Sequence, residues 1–307
     1  MLDGGHYAGP VSDLRIHQRP HLRHPLLIAG WSGWNDAGEA ASSAVRFIHR
    51  RWRAETIADL DPEHFYDFTQ ARPQVRLERG ERVLEWPSNT FSARRVEELD
   101  QDVILLMGTE PHLAWRTYVD TVLEICREFE VAGVLTLGAL LAEVSHQRPV
   151  RISGSASHES LGAPLGLGER TRSGYQGPTG IVGVVTQALR DAGIPTASMW
   201  ANMPFYVQRT PNPKGSLALL ERINSGLRLN LSLHDLEVFA ARFEAQIATD
   251  IEANPEVAEY ARRVEEIDTG DDEAPDVTPN EELPDAASMV DELEQFLRDQ
   301  RGDEEER

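Results

Sequence analysis

Short apolar runs alternate with longer amphipathic stretches over the first 200 residues of this chain. The apolar runs predict buried strands at 26–29, 57–60, 103–107, 133–138 and 196–201. The amphipathic stretches between them predict helices at 37–52, 111–129 and 180–192. Strands that are joined through helices pair in parallel, because the crossover returns the chain to the edge from which it started. The pattern therefore predicts a layered α/β fold.

Two segments modify this pattern. Apolar residues alternate on both sides of Arg79-Gly80 within 75–86, which predicts a hairpin that makes the sheet mixed. After Pro204 the chain carries helical patterns only, at 215–226, 233–251 and 255–267. We therefore expect a three-layer α/β/α sandwich with a mixed, mostly parallel sheet. Its expected parts are a polar N-terminal arm at 1–24, an α/β domain at 25–210 and a helical appendage packed on it at 211–267.

Acidic residues concentrate near the end of the printed chain. Of 307 residues, 51 are acidic and 30 are basic, for a net charge of −21, and 18 of the acidic but only three of the basic residues lie in 265–307. The pattern predicts an acidic tail at 268–307, with a linker at 268–284 and a short amphipathic helix at 286–298. An isolated helix of this length is marginal in water, so we expect it to dock on this chain, on a sister subunit or on a partner.

Composition argues against several classes of function. The excess of acidic residues argues against a nucleic-acid partner, because nucleic-acid affinity depends on clustered Lys and Arg. No apolar window reaches about 18 residues and the first 20 residues lack a secretory pattern, so we expect neither a membrane span nor a signal peptide. Cys126 is the single cysteine, and its apolar surroundings predict a core position. Together these features predict a cytoplasmic protein.

The segment 30–39, GWSGWNDAGE, joins the first strand to the first helix, where α/β folds commonly bind ligands. It lacks the last glycine of a nucleophile elbow, the Lys-Ser/Thr of a phosphate loop and the glycine spacing of a dinucleotide turn. In one interpretation Asp36 caps the helix and Glu39 completes a capping box. The other interpretation makes the segment the wall of an interface or pocket, with these binding residues: Trp31, Ser32, Trp34 and Asn35.

Two further strand ends carry polar groups. Glu110 and His112 follow the strand at 103–107 and either cap a helix or form an acid–base pair near Asp36. His146 and Arg148 follow the strand at 133–138. They either bind an anion or belong to a loop that is stabilised by an ion pair with Glu143.

The remaining candidates are binding residues near two other turns: Tyr175 and Thr179 in a glycine-rich turn, and Asn202 at a strand end. No complete catalytic, metal-ligand or cofactor motif is present in the sequence. We therefore keep only Asp36, Glu110 and His146 as weak catalytic candidates, and we expect no metal and no cofactor.

In their order and spacing, these segments resemble the bacterial branch of the proteasome assembly chaperone 2 family. The matching segments extend over about 25–265 and are 27–38, Pro87, 108–111, Trp115-Arg116, 137–140, 148–149, Ser157, 177–180 and the run to Pro204. The resemblance implies a phosphorylase/hydrolase-like sandwich, self-association into a small oligomer, for which we expect a trimer, and no established enzyme activity. It also implies binding to proteasome subunits, because archaeal and eukaryotic relatives guide assembly of the proteasome ring.

Two functional hypotheses therefore follow from the sequence and the resemblance. The first is a non-enzymatic, assembly-chaperone-like homo-oligomer that binds protein partners, with proteasome subunits among them. The alternative is a hydrolase- or phosphorylase-like small-ligand site at the sheet rim. There, Asp36 or Glu110 would act as the base, His112 or His146 as the proton partner or anion contact, and the turn 177–180 as the anion seat.

Overall fold

The computed structural model describes residues 13–96, 101–168 and 177–268. Its strands are β1 (Leu14–Ile16), β2 (Leu26–Ser32), β3 (Glu55–Leu60), β4 (Gln74–Glu78), β5 (Glu81–Glu85), β6 (Asn89–Arg94), β7 (Val103–Thr109), β8 (Gly133–Ala142), β9 (Ile152–Ala156) and β10 (Thr196–Pro204). Its α-helices are α1 (Ala40–Trp52), α2 (Trp115–Glu128), α3 (Glu159–Gly162), α4 (Ile181–Asp191), α5 (Pro213–Leu227), α6 (His234–Glu252) and α7 (Pro255–Ile267).

Eight strands form one mixed sheet in the order β1-β3-β6-β7-β2-β8-β10-β9. The four central strands, β7, β2, β8 and β10, pair in parallel. The strands outside them pair antiparallel: β1, β3 and β6 on one side and β9 on the other. The mixed sheet is confirmed, but antiparallel pairings outnumber parallel ones by four to three, so its parallel part is confined to the centre.

The hairpin does not cause the mixed pairing. Strands β4 and β5 form a separate two-stranded sheet, in which Val75 pairs with Leu84 and Leu77 with Arg82. The antiparallel pairings of the main sheet involve β1, β6 and β9, none of which shows a strong apolar run. Residues in β9, for example, read Ile-Ser-Gly-Ser-Ala.

Helices cover both faces of the sheet. Along β2, Leu26 and Ile28 belong to a core cluster that includes α1 and α5, whereas Leu27 and Ala29 belong to a second cluster that includes α2 and α4. This alternation follows from the twofold periodicity of a strand that is buried on both faces. The three-layer α/β/α sandwich is therefore confirmed.

Two predicted helices begin later than their apolar pattern. Helix α1 begins at Ala40 because residues 37–39 form a 3₁₀ turn, in which Gly38 and Glu39 have positive φ. Helix α2 begins at Trp115, since β7 continues to Thr109 and Ala114 takes a left-handed conformation. Both displaced starts lie at the carboxyl ends of parallel strands, so tertiary contacts at this edge of the sheet override the local pattern.

The segments on either side of the α/β body are attached to it. In the predicted N-terminal arm, β1 pairs with β3, and Arg23 forms a 2.8 Å ion pair with the fully buried carboxylate of Asp102. Helix α5 shares the core cluster of α1, whereas α6 and α7 share a small separate cluster. The predicted linker and helix of the acidic tail lie outside the described residues, except for Asp268. No helix among the described residues is long and apolar enough to cross a membrane.

A buried chain of hydrogen bonds joins β2, α2, β6 and β7. The Trp31 Nε1–H donates to the Tyr118 hydroxyl at 2.5 Å, and that hydroxyl donates to Asn89 Oδ1 at 2.7 Å. Asn89 Nδ2 donates to the hydroxyl of Tyr66, which donates to the Thr109 carbonyl at 2.6 Å. Burial raises the pKa of both tyrosines, so the chain is neutral at physiological pH. It provides partners for polar groups that the apolar core would otherwise leave unsatisfied.

We expect Tyr118→Phe to lower the free energy of unfolding by about 2 kcal/mol or more. The substitution keeps the ring but leaves Trp31 Nε1 and Asn89 Oδ1 without this partner in the core. Urea denaturation followed by tryptophan fluorescence measures the change. The matched control is Tyr260→Phe, which removes a partly exposed hydroxyl bonded to Glu143 and should cost about 0.5 kcal/mol or less. Equal costs for the two variants would contradict a structural role for the buried chain.

Candidate functional site

The carboxyl ends of the four parallel strands meet at one edge of the sheet, which we call the rim. The loop at 33–36 follows β2, the loop at 110–114 follows β7, and the loop at 143–151 follows β8. Asp36 forms an isolated parallel bridge to Ala139 of β8, and the Asn35 carbonyl accepts from the Ala139 amide at 2.8 Å. The first of these loops thus crosses from β2 toward β8, so the rim is a continuous structure of hydrogen-bonded turns.

Glu110 is the side chain that joins the most segments of the rim. Its Oε2 accepts from the amide of Trp34 at 2.8 Å, and its Oε1 accepts from the amide of Ile181 at 2.8 Å. Ile181 is the first residue of α4, so the carboxylate lies where the positive end of the helix dipole favours negative charge. Glu110 therefore caps a helix, in agreement with one of its two interpretations. The capped helix is α4, whereas the helix that follows Glu110 in sequence is α2.

Two glycines allow the close approach of these loops. Gly33 has φ of 138°, and a Cβ on it would lie 2.7 Å from Cβ of Glu110. A Cβ on Gly180 would overlap the side-chain amide of Asn35. Glycine is required at both positions because the backbone passes directly over a neighbouring side chain.

Asp36 caps α1 from a buried position. Its Oδ1 accepts from the amides of Ala41 and Ser42 at 2.7 and 3.2 Å. Burial raises the pKa of this carboxyl to about 6, because the hydrogen bonds from Ala41 and Ser42 offset only part of the loss of hydration. The capping interpretation is therefore the one that the contacts support, although Glu39 takes a left-handed conformation and adds no side-chain bond as a cap.

The two tryptophans of the first turn have opposite environments. Trp31 is 1% exposed and belongs to the core, so it does not wall a surface. Trp34 is 66% exposed and stands on the outer side of the turn. Ser32 is partly buried, with its hydroxyl 3.4 Å from the Gly108 carbonyl. Only Trp34 among these presents a large apolar side chain to solvent.

His112 contacts the segment between β3 and β4. Its Nδ1 accepts from the amide of Asp67 at 3.1 Å, and its ring meets Tyr66 edge-on at 5.8 Å. The backbone amide of His112 donates to the Phe65 carbonyl at 2.8 Å. The residue therefore fastens the segment between β3 and β4 to the β7 loop.

His146 and Arg148 belong to a different cluster, under the end of α7. His146 contacts the Tyr206 hydroxyl through its amide and its Nδ1, both at 2.8 Å. Burial and the nearby cation of Lys214 lower the pKa of this histidine. Arg148 lies 4.0 Å from Asp268, the buried residue that follows α7, and Arg151 lies 3.2 Å from it. The carboxylate partner of Arg148 is thus Asp268 and not Glu143, which accepts from Tyr260 instead.

The other predicted binding residues are dispersed. Thr179 is exposed just before α4, and a Cβ on Gly183 would overlap its hydroxyl. Asn202 is buried in β10, where its backbone amide donates to the Arg151 carbonyl at 3.0 Å. Tyr175 lies outside the described residues. Among those that are described, no hydrogen bond links any two of Asp36, Glu110 and His146.

Exposed apolar side chains gather at the same end of the sheet, and the sequence patterns did not single most of them out. Two of them are half exposed: Leu113 after β7 and Leu141 near the end of β8. With Trp34 they form what we call the rim residues. Further exposed apolar residues lie on the hairpin and at its base, which follow the carboxyl end of β3: Val75, Leu77, Val83, Leu84 and Trp86. No sequence signal distinguishes them from core residues, because each sits in an ordinary apolar pattern.

A cavity of about 510 Å³ lies elsewhere, at the end of α5 and the segment that follows it. Its lining residues are Glu221, Asn224, Ser225, Arg228, Asn230 and Leu233. None of them is a predicted site residue. The rim thus offers an apolar surface on hydrogen-bonded turns, and the described part of the chain assembles no acid–base pair there.

Asp36→Asn tests the effect of burial on the Asp36 carboxyl. A pKa raised from 3.8 to about 6 by folding stabilises the protein below pH 4, and this contribution is lost as the pH rises through 6. Asparagine keeps an oxygen acceptor for the α1 amides but does not titrate. Between pH 4 and pH 7, the free energy of unfolding of the variant should therefore rise by about 2–3 kcal/mol relative to wild type. Urea denaturation at several pH values measures it, and parallel pH profiles would contradict the raised pKa.

Glu110→Ala tests whether the carboxylate joins the turns. We expect hydrogen exchange of the Trp34 and Ile181 amides to accelerate on the order of tenfold, because each loses its acceptor. Exchange of the Leu105 amide in the core should not change. The control is Glu124→Ala on the exposed face of α2. Unchanged exchange at both rim amides would show that other contacts hold the turns.

The sequence and the fold of this chain match those of known proteins. The model of the PAC2 family matches residues 30–250. A PAC2 family protein from Streptomyces avermitilis is 42% identical, with a TM-score of 0.69 over 77% of this chain and 99% of that one. A proteasome-assembly chaperone homologue from Mycobacterium tuberculosis is 41% identical, with a TM-score of 0.67 over 76% and 99% of the two chains.

An archaeal proteasome activator from Pyrococcus furiosus shares the fold at 19% identity, with a TM-score of 0.63 over 78% of this chain and 98% of that one. No match is found among the curated proteins. The family model spans well over half of the chain, and the resemblance seen in the sequence motifs is confirmed. This chain belongs to the PAC2 family.

Proposed function

We propose that this protein is a non-enzymatic, assembly-chaperone-like protein of the cytoplasm that forms a homo-oligomer, expected to be a trimer, and binds proteasome subunits. The observation that carries the proposal is the placement of exposed apolar side chains at the rim: Trp34, Leu113 and Leu141. Large exposed apolar residues concentrated on one side of a molecule mark protein-interaction surfaces. Tryptophan in particular is enriched among the residues that dominate binding energy.

The names of two relatives support a proteasome-related partner. One close relative is named a proteasome-assembly chaperone homologue, and a more distant one that shares the fold is named a proteasome activator. The rim turns add a physical argument. Glu110 holds the Trp34 turn against the start of α4, so Trp34 is presented by a backbone that is already ordered. A preorganised surface loses less conformational entropy when it binds.

The second candidate function is a small-ligand site at the rim, with Asp36 as a base. The observation in its favour is the pKa of about 6, which suits general-base chemistry near neutral pH. Against it stands the use of the Asp36 carboxylate as a cap, because Oδ1 already accepts two amides of α1. A hydrolase activity that Asp36→Asn abolishes, without a change in the fold, would favour this second function.

Capture of proteasome subunits tests the proposal. Full-length protein should retain the α or β subunits of the proteasome from the same organism, and the variant Trp34→Ser/Leu113→Ser should bind them at least about tenfold more weakly. Both side chains are exposed, so the variant should keep the circular dichroism spectrum and melting temperature of wild type. The matched control is Ile267→Ser on α7, where the side chain is 67% exposed, close to the 66% of Trp34.

Two outcomes would contradict the proposal. Failure of the wild-type protein to retain any proteasome subunit would refute the proposed partner. Equal retention by wild type, the rim variant and the Ile267→Ser control would show that the rim residues do not form the binding surface.

A further inference from the structure

The hairpin β4–β5 is amphipathic, and its apolar face is exposed. All ten strand residues are exposed. Since side chains alternate between the faces of a strand, one face carries Val75, Leu77 and Leu84, with Arg82 beside them. The opposite face is polar apart from Val83 and holds an ion pair between Arg76 and Glu85. This division is the pattern of a sheet with one buried side, yet the described residues leave that side in solvent.

Such a hairpin needs a covering surface. An isolated two-stranded hairpin is marginally stable in water, and stability comes when its apolar face packs on another element. The turn Arg79-Gly80 has positive φ at both residues, which suits a tight hairpin. At its base, Trp86 meets Phe68 edge-on at 4.8 Å. These features shape the hairpin but leave its apolar face uncovered.

Charge indicates the chemistry of the covering surface. The segment 72–86 contains four arginines and three glutamates, a net positive stretch in a chain with a net charge of −21. Arg82 lies on the apolar face and, within the described ranges, has no carboxylate partner. A matching surface therefore combines large apolar side chains with acidic ones.

Helix α6 offers this combination. Val238 and Phe239 are adjacent and exposed, Phe239 by 51%, and the acidic residues Asp235 and Glu237 precede them. The helix carries five acidic residues and one arginine over 234–252. Because both this surface and the apolar face of the hairpin are exposed in a single copy, the two do not cover each other within one chain. A second copy can bring them together.

We propose that the apolar face of the hairpin of one copy docks on Val238 and Phe239 of α6 in a second copy, with Arg82 beside Glu237. The contact joins two different surfaces, so an open assembly keeps one free hairpin at one end and one free α6 at the other until it closes. Head-to-tail contacts of this kind generate rings of three or more copies when the rotation closes. The inference rests on the self-association stated under the proposed function and assigns the surfaces that produce it.

Complementary variants of the full chain test this contact. Leu77→Asp/Leu84→Asp places charges on the apolar face of the hairpin. Phe239→Asp places a charge on the exposed surface of α6, and Ile267→Asp is the control. Light scattering after size exclusion should give wild type and control a mass of at least three times that of one copy. Each of the two interface variants should be a monomer with the circular dichroism spectrum of wild type, because the altered side chains are exposed in a single copy.

Mixing the two interface variants gives the decisive result. The intact hairpin of the Phe239→Asp chain can dock on the intact α6 of the hairpin variant, and neither partner can add a third copy. The mixture should therefore form a heterodimer that stops at two chains. Monomers that stay apart in the mixture, or single variants that assemble like wild type, would overturn the proposed contact.

A charge exchange gives an independent test. Arg82→Glu alone and Glu237→Arg alone should each weaken assembly on the order of tenfold, measured as the concentration at which the oligomer dissociates. The double variant Arg82→Glu/Glu237→Arg should assemble like wild type. Equal weakening by the single and double variants would remove this pair from the interface.

The remaining outcomes separate this inference from the proposed function. A monomeric wild type would refute self-association and the contact together. Phe296 lies in the tail helix predicted at 286–298. An oligomer that Phe296→Asp disrupts but Phe239→Asp leaves intact would make the acidic tail, and not α6, the covering surface. A wild-type protein that forms the oligomer but captures no proteasome subunit would refute the proposed partner. The hairpin contact would remain supported.

Discussion

Parallel pairing of the four central strands is the constraint on which the rest of the structure depends. Each parallel connection must cross a face of the sheet, so α1, α2 and α4 cover it and the central strands are buried on both sides. The same pairing brings the carboxyl ends of β7, β2, β8 and β10 to one edge. The loops that follow them therefore meet there, whatever their individual sequences.

Once the loops meet, their backbone groups need partners. Asp36 and Glu110 accept four amides between them, and Gly33 and Gly180 let the backbones pass close to side chains. These are the polar groups that a catalytic interpretation of the sequence also selected. In the folded protein they satisfy the ends of α1 and α4, and the apolar residues around them remain exposed. This arrangement suits a surface for another protein better than a site for chemistry.

The exposed apolar residues fall into groups that the fold keeps apart. The rim residues stand on turns held by Glu110, the hairpin extends from the same end of the sheet, and Val238 with Phe239 lies on α6. The proposed chaperone function would need one surface for self-association and another for the client. The separation of these groups allows both contacts at once, because neither occupies the other's residues.

The sequence by itself determined the α/β class, the central strands, most of the helices and the family, because periodicity and motif order are local properties of the chain. Tertiary structure alone decided that Trp31 is buried while Trp34 is exposed, that Glu110 caps α4 across 71 positions, and that Asp268 lies beside Arg148. It also decided that β1, β6 and β9 are strands and that the hairpin stands apart from the main sheet. These outcomes depend on contacts between residues distant in sequence, which local patterns do not encode.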